Sequence, residues 1–389
     1  MGKDLSVRAF VFTRPLSPRI RFAVIAAIVL EMLYVDVVAA AQLVRTQPWA
    51  IDFLPMWTAA HSVWTTHADP YDFALITKAQ AWLLGPVSKV RPWVYPPSAL
   101  LLLAPLGLIG FSFSAAIWVV GTTLANVWAA LRSRIEWSAI ALALVMPASM
   151  LVAVTGQVSF LIAGLSLLSL SLMGRRPVLA GVLIGLAGAL KPSSLVLLPV
   201  ALIAARAYRP LIAAGAAAAA IAACSLILGG PESWLGWLAA LPRFQRLVMD
   251  DPSLVARMIS PSSLLVMLGA QGWVVTSLNL VFALLAAALV WRVFRVSDDP
   301  VARLTALLGG GLMAAPYAMQ YDAALLAIPA GVIVARSGTL LSLAAAIGGY
   351  LMLSASIVPG FGAVATAIFL AAASLQQLAA ARALNAQAA

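Results

Sequence analysis

Apolar residues in this chain are grouped into runs separated by short polar breaks. The runs fall at about 21–43, 113–131, 137–154, 158–173, 178–190, 193–206, 211–228, 272–294, 304–319, 321–335, 339–355 and 361–381. A helix needs about 20 mostly apolar residues to cross the hydrocarbon core of a bilayer. The pattern therefore predicts about 12 transmembrane helices. Shorter pieces at 97–109 and 260–270 are too brief to cross alone and are read as half-helices leading into the next span. Runs bounded by Gly or Pro, such as 178–190, are expected to be tilted, broken or extended into loops. The stretches 54–66 and 72–84 are amphipathic, which predicts helices lying along the membrane surface.

Composition agrees: 63% of the 389 residues are hydrophobic and only 10% are charged, with a mean hydropathy of +1.02. Soluble domains are roughly 45–50% apolar and about 25% charged. A soluble enzyme, a disordered chain and a nucleic-acid binder are excluded. What remains is an all-α polytopic membrane protein, read as one domain over 1–389. Its single cysteine, Cys224, rules out an intrachain disulfide and a Cys-based metal site.

The net charge of +11 comes from 24 Lys+Arg against 13 Asp+Glu, scattered in ones and twos. That is a topology signal. With the amino terminus inside, Lys3, Arg8, Arg14, Arg19 and Arg21 face inward. So do Arg132, Arg134, Arg175, Arg176, Arg206, Arg209, Arg292, Arg295, Arg303, Arg336 and Arg382. Only Arg45, Lys78, Lys89, Arg91, Lys191, Arg243, Arg246 and Arg257 face out. Treating 97–109 as a full span would invert every later loop and erase the bias. Both termini are then expected in the cytoplasm, with two outer loops, 44–97 and 229–259. Trp49, Trp57, Trp64, Trp82 and Trp93 fall in the first.

Under this topology, polar residues from distant parts of the chain collect at the outer ends of spans: Asp52, Tyr95-Pro96-Pro97, Gly156-Gln157, Lys191-Pro192 and Tyr321-Asp322. Charges at the rim of an apolar bundle are costly unless solvated or used. Each also has a plainer reading. Asp52 could cap a helix, and Lys191 could snorkel or sit at the positive end of a helix begun by Pro192, where phosphate binds. Gln157 and Asp322 could be packing groups. Glu31 and Asp36 lie within the first run, with Asp36 a rival to Asp52. His61 and His67, beside Asp69 and Asp72, lack the spacing of a helical zinc site, so no metal is expected. Asp250-Asp251 reads as a solvated turn before Pro252.

Asp52-Phe53 after the first span, Asp69-Pro70-Tyr71-Asp72, Tyr95-Pro96-Pro97, Pro105-Leu106, Gly156-Gln157, Gly181 and Gly185 leading to Lys191-Pro192, and Tyr321-Asp322 together resemble glycosyltransferase family 87. The resemblance implies a GT-C-type fold and an inverting transfer at the outer face, from a polyprenyl-phosphate sugar, mannose by family analogy, to a lipid or glycolipid acceptor. It implies no cofactor. The position matching the family's catalytic base is Asp52. A leaving phosphate calls for cations and hydrogen-bond donors, which Lys191, Gln157, Tyr95, Arg243, Arg246 and Arg257 could supply; Tyr321 and Asp322 are candidates for holding sugar or acceptor. Relatives carry His before the late Asp where this chain has Tyr321. The competing readings are a secondary transporter and a non-catalytic lipid-binding scaffold.

Overall fold

A computed structural model describes residues 17–84, 91–337, 343, 346 and 347. Among these residues the secondary structure is helical, joined by one isolated antiparallel bridge between Met258 and Met319. The runs at 339–355 and 361–381 fall almost entirely outside the described residues, as do Lys3, Arg8, Arg14, Lys89 and Arg382.

The first helix, α1 (Pro18–Thr46), starts at Pro18, and the Ser17 hydroxyl accepts from the Ile20 amide at 3.3 Å. At 1.5 Å per residue it is about 44 Å long. Only Ile25 and Asp36 are buried along it, while Phe22, Leu30 and Tyr34 are about 70% exposed. A helix that presents apolar side chains all round is built for lipid. Glu31 is exposed on it. Asp36 is buried, with Oδ1 lacking a hydrogen-bond partner.

The segment after α1, expected to be the first outer loop, holds α2 (Leu54–Thr65) and α3 (Phe73–Leu84). The expectation of surface helices fails for α2: Leu54–Ala60 are all buried. The reason lies in the segment packed against it. The half-helix at 97–109 is α4 (Pro97–Leu103) continued by a 3₁₀ turn, Ala104–Leu108, which leaves carbonyls outside an α-helical ladder. One face of α2 meets them, at helical spacing. Trp57 Nε1 donates to Ile109 O at 2.9 Å, His61 Nδ1 to Gly107 O at 2.8 Å, and Trp64 Nε1 to Ala104 O at 2.7 Å. Buried carbonyls need such partners. His61, also stacked on Trp57, is thereby a structural residue. The other helix, α3, is amphipathic as expected, with Ile76 and Gln80 buried and Trp82 83% exposed.

Next come α5 (Phe111–Arg132), α6 (Trp137–Leu144), α7 (Pro147–Thr155), α8 (Ser159–Leu172), α9 (Pro177–Leu190), a 3₁₀ turn at Pro192–Leu195 and α10 (Leu198–Ala204). The chain continues with α11 (Tyr208–Met249), α12 (Pro252–Val255), α13 (Pro261–Met267), α14 (Trp273–Val296) and α15 (Pro300–Ala314). A 3₁₀ helix at Gln320–Leu326 then leads into α16 (Ala327–Arg336).

Of these, α1, α5, α11 and α14 are long and apolar enough to cross a membrane. They become five spans if α6 and α7, bent by 61° where Pro147 interrupts them, count as one. Most of the other runs expected to span fold as shorter apolar helices. Two of them, α8 and α9, have 14 residues each, about 21 Å, and α15 has 15, of which Val301–Met313 are all buried. The short helices form the centre and the long ones the lipid-facing periphery. A helix packed inside other helices does not need the full membrane thickness.

Packing at the centre uses small residues. Gly181 and Gly185, one turn apart on α9, admit α11 so closely that an added Cβ would lie 2.4 Å from Pro210 O and 2.6 Å from Ala214 O. Such small-xxx-small contacts let backbones approach where lipid supplies no hydrophobic drive.

The segment expected as the second outer loop, 229–259, is largely helical. Residues 229–249 continue α11 after a break at Gly230, whose φ of 72° no helix tolerates, and Pro231 starts the new segment. Asp251 then caps α12, accepting from Ser253 N at 2.8 Å, in line with the expected turn before Pro252.

Candidate functional site at one end of the bundle

Asp52 is fixed from the backbone outward. After α1 the chain turns and is tied to the exposed carbonyl end of α7. Ala50 N donates to Val154 O and Asp52 N to Thr155 O, both at 2.8 Å, and Phe53 N reaches Thr155 O at 3.1 Å. Helix C-termini leave such carbonyls unsatisfied, so the junction serves both partners. Gly156 ends α7 with φ 79°, and a Cβ there would lie 2.7 Å from Phe53 Cβ. Its carbonyl takes the Trp118 indole at 2.9 Å, and Phe53 stacks on Trp118 and Phe111.

Asp52 is not a helix cap. The N-cap of α2 is Phe53, without a side-chain cap bond, and the Asp52 carboxylate instead faces Arg91. Arg91 Nη1 donates to Asp52 Oδ1 at 2.6 Å, and Nη2 to Gln47 Oε1 at 3.3 Å. The Asp52 side chain is 16% exposed. Sequence reasoning counts Arg91 as an outer cation and misses it as a site residue. The available signal is a lone arginine four residues ahead of Tyr95-Pro96-Pro97.

Tyr95 lies between two walls. Its hydroxyl donates to Gln157 Oε1 at 3.4 Å, and its carbonyl accepts from the Tyr71 hydroxyl at 2.9 Å. Burial pushes the Tyr95 phenol well above its ordinary range, and the negative charges of Asp322 and Asp52 push it further. The group stays protonated and donates. The 155–159 segment links it to both carboxylates: Thr155 O accepts from the Asp52 amide, Gln157 accepts from the Tyr95 hydroxyl, and Ser159 Oγ donates to Asp322. The Asp69-Pro70-Tyr71-Asp72 motif is the support beneath. Asp69 Oδ1 accepts from Tyr71 N at 2.9 Å, and Asp72 Oδ1 caps α3 through Ala74 N at 2.9 Å. Together they aim Tyr71 at Tyr95.

The positive end of a helix is not where Lys191 sits, contrary to the expectation from Pro192. Its amide closes the C-terminus of α9 on Ala187 O, and only a single 3₁₀ turn follows. A cation at a helix C-terminus is favourably placed. Its ammonium donates to Asp322 Oδ1 at 2.5 Å and lies 5.8 Å from the Tyr321 ring centroid. Asp322 also accepts from Met319 N at 3.1 Å and from Ser159 Oγ at 3.5 Å. The side chains of Lys191 and Asp322 are 17% and 8% exposed. Breaking such a pair strands a buried charge.

Arg243 donates to Tyr71 O at 2.9 Å and stacks over Phe73 at 4.8 Å, holding the support of the site. Arg246 and Arg257 are exposed. Arg257 contributes through its backbone, whose carbonyl accepts from Gln320 N at 2.9 Å, next to the bond from Ile259 N to Ala318 O at 2.7 Å. This clamp holds the loop before Asp322.

Asp52, Arg91, Tyr95, Gln157, Lys191, Tyr321 and Asp322 thus form one charged, half-buried cluster at one end of an all-helical membrane protein. The family model for glycosyltransferase family 87 matches residues 93–329, more than half of the chain, and the chain belongs to that family. It is a membrane glycosyltransferase. No curated protein and no solved structure matches it. Tyr95, Gln157, Lys191, Tyr321 and Asp322 lie inside the matched residues, whereas Asp52 and Arg91 precede them.

Proposed function

We propose that the protein is an inverting glycosyltransferase that moves a hexose, mannose by family analogy, from a polyprenyl-phosphate sugar to a lipid or glycolipid acceptor at the outer membrane face. The observation that carries this reading is that one anchored carboxylate, Asp52, the Tyr95 hydroxyl and a separate cation–carboxylate pair, Lys191–Asp322, all bond to the same short segment, through Thr155 O, Gln157 and Ser159.

The chemistry needs those parts and no cofactor. A sugar on a lipid phosphate already carries a good leaving group, so one carboxylate suffices where a glycosidase needs two. Asp52 takes the proton from the acceptor hydroxyl as its oxygen attacks the anomeric carbon. The bond from that carbon to the phosphate oxygen breaks with inversion, and the electron pair leaves with the lipid phosphate. Charge growing on the phosphate is met by Lys191, which exchanges Asp322 for it, and by Gln157 and Tyr95. Asp322, released from Lys191, and Tyr321 face the sugar or acceptor.

The test is transfer by purified protein from labelled polyprenyl-phosphate-mannose to membrane lipid. Label moved by the wild type and not by Asp52→Asn supports the reading. Transfer that survives the substitution removes Asp52 from the mechanism. Vesicle uptake without transfer would favour a transporter, and binding alone a scaffold.

A further inference from the structure

The opposite end of the bundle carries a second charged feature that the transfer reaction does not use. Three central helices and the longer α5 connect the two ends. α8 runs from Ser159, beside Asp322, to Leu172, and α9 returns from Pro177 to Lys191. α15 begins at Pro300 and ends just before the loop that leads to Asp322. α5 starts at Phe111, against Phe53, and rises about 33 Å over its 22 residues to Arg132.

Where these helices finish, a cavity of about 560 Å³ opens among Arg132, Arg134, Arg175, Arg303 and Asp298. Its size is that of a small-ligand site. Four arginines and one aspartate line it, and the Arg132 guanidinium lies 5.9 Å from the Trp128 ring centroid. Arg303, 8% exposed, donates to Asp298 Oδ1 at 2.6 Å and to Phe294 O at 3.2 Å, and its Nε has no partner. The Asp298 side chain is itself 98% exposed, so it neutralises the cavity poorly. Among the described residues Arg132, Arg134 and Arg175 form no ion pair. Two hydroxyls add neutral donors, Ser171 Oγ bonding Ser133 Oγ at 2.7 Å. Gly174 keeps the wall open, with nothing within 4 Å of where its Cβ would be.

A helix C-terminus would account for Arg132 alone, in the last turn of α5. It does not account for arginines brought together from the 132–134 turn, the α8–α9 turn and the start of α15. We infer that this cavity is a binding site for a phosphate-bearing anion, the headgroup of an anionic lipid. Guanidinium forks match phosphate oxygens in pairs. The arginine count places this end at the cytoplasmic leaflet, where anionic lipids concentrate and basic pockets between helices bind their headgroups.

The test uses full-length protein, stripped of lipid in neutral detergent, and native mass spectrometry with added phosphatidylglycerol or phosphatidylcholine. The wild type binds phosphatidylglycerol in preference, and Arg132→Ala/Arg134→Ala/Arg175→Ala weakens it about tenfold or more. Gly174→Leu, which fills the cavity without removing a charge, weakens it as well and covers the case of a misfolded triple variant. Millimolar inorganic phosphate competes with the lipid. Phosphate binding that the triple variant loses, without lipid binding, would keep the phosphate site and assign it to a soluble anion. Equal binding of both lipids by the wild type, or unchanged phosphatidylglycerol binding by both variants, overturns the inference. Glycosyl transfer is not read in this experiment, so its outcome is independent of the proposed reaction.

Discussion

The two ends of the helical bundle treat charge in opposite ways. At the Asp52 end, cations and carboxylates are paired, Arg91 with Asp52 and Lys191 with Asp322, and the backbone around them is tied down. At the other end three arginines around a cavity have no carboxylate among the described residues, and the fourth shares one that projects into solvent. The turns at both ends are hydrogen-bonded, Arg134 N to Leu131 O and Arg175 N to Leu172 O at the arginine end, so the difference lies in the charges they carry. Carboxylates that hold the cations fix a reacting group in place. Guanidinium groups without a carboxylate partner are suited to attracting an anion.

Substitutions can break or sharpen this contrast. The largest effect is expected at Asp52. Asp52→Asn lowers the transfer rate by about 10²–10⁴-fold, the span of general base catalysis, while thermal unfolding barely moves; a rate assay beside a melting curve checks both. Lys191→Met leaves Asp322 buried and unpaired, and costs about 3–5 kcal/mol. Adding Asp322→Leu restores most of that stability, since an apolar pair replaces an ionic one, but transfer stays low. Denaturation midpoints of the single and double variants separate pairing from chemistry. Gly156→Ala demands a left-handed alanine and forces a Cβ onto Phe53; it costs about 1–3 kcal/mol of strain and slows transfer by shifting Asp52. The smallest effect is expected at the arginine end, away from the cavity. Arg176→Ala, exposed at the start of α9, changes stability by no more than about 0.5 kcal/mol, and a melting curve suffices to detect more.

Much of the site is legible in the chain because membrane topology is a strong one-dimensional constraint. Under the orientation that the cations imply, Asp52, Tyr95, Gln157, Lys191 and Asp322 all fall at the same ends of the expected spans, and the structure gathers them into one cluster. What escapes is lateral. Arg91 and Arg243 are both outer arginines in sequence terms, yet one meets Asp52 and the other Tyr71 O. Nothing along the chain distinguishes them, because the choice depends on which helices are neighbours. The same limit hides the fate of α2. Its pattern suits a surface helix, but the carbonyls at and just after the adjoining 3₁₀ turn require donors, and Trp57, His61 and the half-exposed Trp64 turn toward that segment to supply them.

The sequence by itself determined that the chain is helical and built for a membrane, that its polar motif residues share the ends of spans, and the family it belongs to. Apolar runs, scattered arginines and short ordered motifs carry that information locally. Only the tertiary structure decided which short helices are central, which charges pair, and that arginines from two turns and a helix start share one cavity. Those outcomes follow from close packing between segments far apart in sequence, where a glycine's missing side chain or an unsatisfied carbonyl selects the partner.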